Sequence, residues 1–133
     1  MAQVETTIDS IRVAAVSSER AIILQQKRAD HYLPFWVSSS QADILAMELQ
    51  GRPDKSLDPD RFLANINAAD SDIKCVTIHL ENNTFYAKVL LSQHDKPYEA
   101  KCPIGIALTL ACRVEAPILV DEALFDKAGV RFP

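Results

Sequence analysis

The amino-acid sequence predicts an α+β fold in which a mostly antiparallel sheet carries packed helices. One observation is that β-prone segments occur as neighbours joined by short polar turns, at 17–20 and 81–84, which is typical of hairpins. A second is that a helical pattern follows each group of strands, beginning near residues 40 and 104. Strands grouped in hairpins favour an α+β domain over a parallel, Rossmann-type sheet.

The strands are predicted from runs of β-branched and aromatic residues. Seven such runs occur, at 11–16, 21–25, 31–37, 75–80, 85–91, 97–102 and 116–120. In the third run the side chains alternate, with Leu33, Phe35 and Val37 on one face and Tyr32 and Trp36 on the other. Because Pro34 has no N–H to donate, we expect this strand at a sheet edge or irregular at that point.

Apolar residues at helical spacing predict helices at about 40–50, from 58, at 104–114 and from 121 to 129. We expect the first helix to begin with a capping box of Ser40 and Asp43, and to end at Gly51. The second is expected to begin with Asp58 as its N-cap and Pro59 in its first turn.

The order strand, strand, strand, helix occurs twice, with the second copy shifted by about 64 residues. Residue identities do not repeat at that offset, so the pattern alone carries the inference. We therefore predict two similar βββα halves plus a short C-terminal strand and helix. All of these elements are assigned to one domain at 8–133.

Length and composition indicate a single globular domain, with 133 residues, 48% hydrophobic and 24% charged. No apolar run approaches the roughly 20 residues of a membrane span. The N-terminus lacks the basic and apolar regions of a secretory signal, so we expect a cytoplasmic protein with no membrane partner. The net charge of −4 argues against tight, non-specific binding of nucleic acid, although carboxylates also serve metal-assisted chemistry.

Common site motifs are absent from the sequence. The three glycines cannot form a phosphate-cradling loop, and no C-x-x-C, H-E-x-x-H or G-x-S-x-G occurs. The three cysteines are interpreted as small hydrophobic residues. The three histidines, His31, His79 and His94, are scattered and are interpreted as polar strand or surface residues rather than catalysts.

Four collinear blocks of the sequence resemble the bifunctional nuclease domain family. The segment 32–37, Y-L-P-F-W-V, followed by Leu49-Gln50-Gly51, resembles the family's Y-L-P-I-W-I and L-Q-G. Further likenesses are 52–63 to R-P-L-T-H-D-L-L, 83–88 to D-G-T-F-Y-A-R, and 116–130 to A-P-I-x-V-x-E-x-L-x-x-A-G-V. The resemblance implies an α+β domain, a homo-oligomer, and cleavage of both RNA and DNA.

The sequence departs from the family where polar chemistry is expected. Ser38 and Gln41 stand where the family usually has Gly and Glu, and Pro59 replaces a His. The helix beginning after Cys102-Pro103 lacks the family's Ser-Asp pair. This pattern fits weakened catalysis as well as it fits a nuclease with a different site.

Candidate site residues follow from charge and from the resemblance. We predict Asp58 and Asp60 as catalytic, Asp43 and Asp60 as ligands of a divalent cation such as Mg²⁺ or Mn²⁺, and Arg113 and Lys101 as substrate-binding. The structural alternatives are caps for the aspartates, a helix C-terminal cation for Arg113, and an ion pair of Lys101 with Glu99.

Three functions follow as hypotheses. The first is metal-assisted hydrolysis of phosphodiester bonds in RNA or DNA. The second is an oligomerisation or regulatory module that kept the fold and lost the site. A small-ligand-binding domain is the third, and no particular motif supports it.

Overall fold

The computed structural model describes residues 2–13, 18–55, 57–66 and 68–131. The strands are β1 (Gln3–Val13), β2 (Arg20–Gln26), β3 (His31–Val37), β4 (Asp72–Glu81), β5 (Thr84–Gln93), β6 (Lys96–Cys102), β7 (Ile118–Asp121) and β8 (Val130–Arg131). The helices are α1 (Ser39–Leu49), α2 (Pro59–Asn65), α3 (Ile104–Val114) and α4 (Glu122–Ala128). The α+β fold class is confirmed.

The strands of the described ranges form one sheet in the order β6-β5-β4-β7-β1-β2-β3-β8. Every pairing is antiparallel except that of β4 with β7. Strand β7 lies between the two groups of strands and pairs with β1 on its other side, so it joins them into a continuous sheet. The order strand, strand, strand, helix occurs twice, as β1-β2-β3-α1 and β4-β5-β6-α3, while an internal duplication stays a prediction.

Both edges of the sheet contain a proline. Strand β6 is one edge and includes Pro97. At the other end, β8 pairs only with His31 and Tyr32 of β3, so that Pro34 lies beyond this short pairing. The irregular edge predicted at Pro34 agrees with this geometry.

The hydrophobic core lies on one side of the sheet. All four helices contribute to a single cluster, through Ala42 and Leu45 of α1, Leu63 of α2, Ala107, Leu108 and Ala111 of α3, and Phe125 of α4. The inward residues of the strands, such as Val76 and Val89, complete it. We call the opposite surface of the sheet the open face, since the helices pack on the other side.

The local signals that start and stop the helices were mostly confirmed. Asp58 is the N-cap of α2, and its side chain accepts a hydrogen bond from the N–H of Asp60. Gly51 ends α1 with a left-handed φ of 76°, which favours glycine. The cap predicted at Ser40 is wrong, because Ser38 is the N-cap and accepts from the N–H of Gln41.

Strand limits depend more on pairing partners than on local sequence. Strand β1 begins at Gln3, well before the predicted start at residue 11, because its first residues pair with β7. Its predicted end, and part of the predicted turn at 17–20, lie outside the described residues. Strand β8 was not predicted, since it has only two residues.

The cysteines are free thiols, as the sequence indicates. Cys102 is buried in the core, and burial raises the pKa of its thiol to about 12. Desolvation also raises the pKa of Cys75 and Cys112, which are half-buried. None of these environments favours a reactive thiolate. None of the helices in the described ranges is long and apolar enough to span a membrane.

Candidate functional site

The sequence-predicted site residues divide between the two sides of the sheet. Arg113 at the end of α3 and Asp58 at the start of α2 are close enough for the charge of Asp58 to act on Arg113. Asp60 lies in the first turn of the same helix α2. Lys101 belongs to β6, where it alternates with the buried Cys102, so its side chain lies on the open face.

Arg113 is held by several hydrogen bonds within the protein. Its Nε and Nη2 donate to Oε1 of Glu48 on α1, at 2.8 and 2.7 Å. Its Nη1 donates to the carbonyl oxygen of Leu57 at 2.7 Å, and Nη2 also approaches the carbonyl oxygen of Asp54 at 3.5 Å. The hydrogen bonds that Arg113 donates to Glu48, together with the negative charge of Glu48, raise the pKa of Arg113. Arg113 therefore ties α1, α3 and the segment between α1 and α2 together.

We call this area the connector region: Arg113, Glu48, the residues 52–55 and 57–58, and the start of α2. The Arg113 and Glu48 side chains are 23% and 12% exposed, so the pair is shielded from water. Asp58 and Asp60 are exposed beside it. Their place at a helix N-terminus explains the choice of Asp there, because the helix dipole favours negative charge.

Asp43 does not belong to the connector region. It is exposed in α1, five residues before Glu48. Five residues of α-helix correspond to a rotation of about 140°, so the two side chains lie on different faces of α1. Within the described ranges, no three His, Cys, Asp or Glu side chains form a group that could hold a metal ion. Asp58 and Asp60 are neighbours at the start of α2, where Asp58 accepts a hydrogen bond from the N–H of Asp60.

The open face carries a row of interacting polar side chains around Lys101. The Nζ of Lys101 lies 4.5 Å from the centroid of the Tyr86 ring, as in a cation–π contact. On its other side, Tyr86 stacks on His79, with ring centroids 5.2 Å apart and an interplanar angle of 21°. His79 and Tyr86 are direct cross-strand partners of β4 and β5. The row therefore crosses three strands.

A second pair of charges lies beside this row. Lys88 and Lys101 are directly opposite each other on β5 and β6. Lys88 donates to Oε1 of Glu99 at 3.1 Å, and this hydrogen bond raises the pKa of Lys88. Glu99 thus pairs with Lys88, whereas Lys101 contacts Tyr86. Like charges placed opposite each other on neighbouring strands destabilise a sheet, and a bound anion would relieve this repulsion.

The imidazole ring of His79 is held by two contacts, one with Thr77 and one with Tyr86. Its Nε2 lies 2.7 Å from Oγ1 of Thr77, which is only 3% exposed. Partial burial and the charge of Lys88 lower the pKa of His79, although the charges of Glu99 and Asp121 act in the opposite direction. The neutral imidazole therefore predominates at neutral pH.

The hairpin turn in the sequence predicts the cross-strand neighbour of His79, although this histidine belongs to no recognisable motif. The two-residue turn Asn82-Asn83 closes the β4–β5 hairpin, and both turn residues have the positive φ that such turns require. Counting outward from this turn places residue 79 opposite residue 86. The stacked pair could have been predicted from this count, whereas the approach of Lys101 could not.

Two departures from the family pattern meet at the starts of α1 and α3. Oε1 of Gln41 accepts a hydrogen bond from the N–H of Gly105 at 2.8 Å. A Cβ added to Gly105 would lie 2.5 Å from Cβ of Gln41, so a larger residue cannot fit without a shift. At the position where the resemblance leads us to expect an acidic residue, Gln41 thus contributes to the packing of α1 against α3.

Comparison with known proteins places these observations in a family. A family model described as the bifunctional nuclease domain matches residues 22–133. Two proteins of Mycobacterium tuberculosis, the uncharacterized proteins MT1877 of strain CDC 1551 and Rv1829 of strain H37Rv, are each 31% identical over 131 residues. Each match covers 97% of this chain and 78% of the relative.

Proposed function

Because the chain belongs to the bifunctional nuclease domain family, we propose that it binds nucleic acid and cleaves phosphodiester bonds on the open face. The observation that carries this proposal is the pair of opposed cations, Lys88 and Lys101, beside the stacked His79 and Tyr86. Cations that neutralise phosphate and an imidazole that moves a proton are the groups that such a reaction needs.

The charges of this area support contact with a phosphate group. Lys88 and Lys101 belong to neighbouring strands, so a phosphodiester between their ammonium groups would accept hydrogen bonds from both. Lys88 donates to the exposed Glu99, and Lys101 lies over the ring of Tyr86. An exposed ion pair contributes little, so rearranging it to bind an anion costs little.

The predicted divalent cation is a competing proposal with a different location. Mg²⁺ is often bound by one or two carboxylates together with substrate phosphates, and Asp58 and Asp60 provide such a donor set. A cation bound there would activate water for attack on phosphorus. The N-terminus of α2 and the nearby Arg113 are both positive, which weakens the attraction for a cation. Asp43 lies on a different face of α1 from Glu48, the residue of α1 that contacts Arg113.

We propose to test both locations in one set of assays, with fluorescent single-stranded RNA and DNA of the same sequence. Binding is measured by anisotropy, and cleavage is measured in EDTA and across Mg²⁺ and Mn²⁺ titrations. Lys101→Gln is expected to weaken binding about fivefold, the effect of losing one phosphate contact. Lys127→Gln removes an exposed lysine of α4, on the helix side of the sheet, and serves as the matched control.

The outcomes separate the two locations. Weaker binding and slower cleavage in Lys101→Gln, with no change in Lys127→Gln, support the open face. Cleavage that requires a metal ion and is abolished by Asp60→Asn, while Lys101→Gln behaves like the unaltered protein, overturns the open-face proposal and supports the connector region.

The second candidate function is an oligomerisation or regulatory module without catalysis. We base it on the contact of Gln41 with Gly105, which lies at the helix starts where the resemblance leads us to expect acidic residues. It predicts a stable homo-oligomer in sedimentation and no cleavage of RNA or DNA at any metal concentration. Turnover by purified protein that a single substitution abolishes would overturn it.

A further inference from the structure

The geometry around His79 engages one ring nitrogen and gives the other no hydrogen-bond partner among the described residues. Nε2 is hydrogen-bonded to the buried hydroxyl of Thr77. When Nε2 carries the proton and donates it to Oγ1 of Thr77, Nδ1 has a free lone pair. Stacking on Tyr86 fixes the plane of the ring, so the direction of that lone pair is fixed as well. This arrangement is typical of a general base held by a second residue.

The charged surroundings of His79 keep this nitrogen unprotonated at neutral pH. Lys88 faces His79 from β5 and lowers its pKa together with partial burial. Glu99 on β6 and Asp121 at the end of β7 raise the pKa by smaller amounts. Tyr86 on β5 stacks on the His79 ring, and Lys101 on β6 lies over the Tyr86 ring. The effects that lower the pKa of His79 are the larger ones. His79 therefore accepts a proton, rather than donating one, at the start of a reaction.

Resting on the proposed function, we propose that His79 accepts the proton of a ribose 2′-hydroxyl and that the substrate of this route is therefore RNA. The 2′-oxygen then forms a bond to the adjacent phosphorus, and the bond from phosphorus to the 5′-oxygen breaks. The leaving 5′-oxygen receives the proton, through water, from the imidazolium of His79. The products are a 2′,3′-cyclic phosphate and a 5′-hydroxyl, so no co-reactant is needed.

Lys88 and Lys101 have a defined part in this reaction. Negative charge accumulates on the non-bridging phosphate oxygens as the 2′-oxygen attacks, and two ammonium groups on neighbouring strands stabilise that charge. DNA lacks the 2′-hydroxyl and cannot react by this route. The open face can therefore bind both nucleic acids while His79 acts on RNA alone.

The experiment uses the full chain in EDTA with three oligonucleotides of one sequence: RNA, DNA, and RNA with a single 2′-deoxy position. His79→Gln retains a partner for Thr77 and removes the titrating base. His94→Gln, in the exposed turn between β5 and β6, is the matched control. Circular dichroism and thermal unfolding establish that both variants fold.

We expect cleavage of RNA with a 2′,3′-cyclic end, no cleavage at the deoxy position, and a loss of about a hundredfold in His79→Gln. His94→Gln keeps the full rate. The rate of the unaltered protein should rise with pH through the lowered pKa of His79 and then level off, and this rise should be absent in the variant. Thr77→Val, which preserves the side-chain shape, should shift this pH profile because it frees Nε2.

Three results would overturn the inference: cleavage at the deoxy position, linear phosphate ends, or a His79→Gln rate within twofold of the unaltered protein. The proposed function is judged separately, by binding. If Lys101→Gln weakens binding while His79→Gln leaves the cleavage rate unchanged, the inference fails and the proposed function stands. If neither nucleic acid binds or is cleaved under any condition, both fail.

Discussion

The connector region and the open face contain similar charged side chains but hold them in different ways. In the connector region, the guanidinium of Arg113 donates to a carboxylate and to backbone carbonyls, in a pair largely shielded from water. On the open face, Lys88 donates to Glu99, whose side chain is 58% exposed, and Lys101 contacts only the ring of Tyr86 among the described residues. A cation whose donors are satisfied within the protein stabilises structure, whereas a loosely held cation can bind a ligand.

The difference between the connector region and the open face leads to a general expectation for substitutions in each. Changes in the connector region should lower the free energy of unfolding, whereas changes on the open face should alter binding and leave stability nearly unchanged. The expected effect on stability decreases from Arg113→Met through Asp58→Ala and the pH dependence of His79 to Lys101→Gln.

Arg113→Met should have the largest effect, because it leaves the shielded carboxylate of Glu48 without its partner and removes the donor to Leu57. We expect a loss of about 2–3 kcal/mol, less than the roughly 3–5 kcal/mol of a fully buried pair. Urea unfolding measures it. The control is Arg61→Met, at an exposed arginine of α2, which should change stability by less than about 0.5 kcal/mol. Equal stability of the two variants would contradict the structural role of Arg113.

Asp58→Ala should have a smaller effect, because it removes the N-cap of α2 but breaks no shielded ion pair. The expected loss is about 1 kcal/mol, the usual contribution of a cap. Asp126→Ala, at an exposed residue of α4, is the control. If Asp58→Ala were neutral in unfolding but abolished metal-dependent cleavage, Asp58 would act as a ligand rather than a cap.

The pH dependence of stability tests the environment of His79. Its pKa in the folded chain lies below the ordinary value of 6.5, so the unfolded chain binds the proton more tightly. The contribution of His79 to stability is therefore complete above about pH 6.5 and decreases as the pH falls toward the folded pKa. Unfolding measured between about pH 5 and pH 8 should depend less on pH in His79→Gln than in His94→Gln. Identical curves for the two variants would argue against the lowered pKa.

Lys101→Gln should have the smallest effect on stability, within about 0.5 kcal/mol, because an exposed cation–π contact contributes little. Its effect on nucleic-acid binding should be clear by contrast. A variant that lost stability and binding together would erase the distinction between the two regions.

Local signals predicted the fold where the determinants are adjacent in sequence. Helix α3 has the predicted limits, and the turn at Asn82-Asn83 and the cap at Asp58 were both confirmed. The cap of α1 was misplaced because three serines follow one another at 38–40. The end of β3 selects among them, since Val37 is still paired with Arg20 of β2. That pairing is a tertiary property.

The candidate site was less predictable for the same reason. Arg113 is in the last turn of α3, as expected, but its partners lie 56 to 65 residues away in sequence. A lone histidine such as His79 gains significance only when the hairpin register puts Tyr86 opposite it. The approach of Lys101 depends on the pairing of β5 with β6, which composition does not determine.

The prolines at the two sheet edges constrain how copies of this domain can associate. A strand from a second molecule could extend the sheet along β6 or along the outer side of β3, and Pro97 and Pro34 each remove a donor from those ladders. Lysines at both ends of β6 add charge repulsion between two such edges. Fibrous growth by strand addition at these two edges is therefore discouraged, which favours self-association through the surfaces of the sheet or the helices.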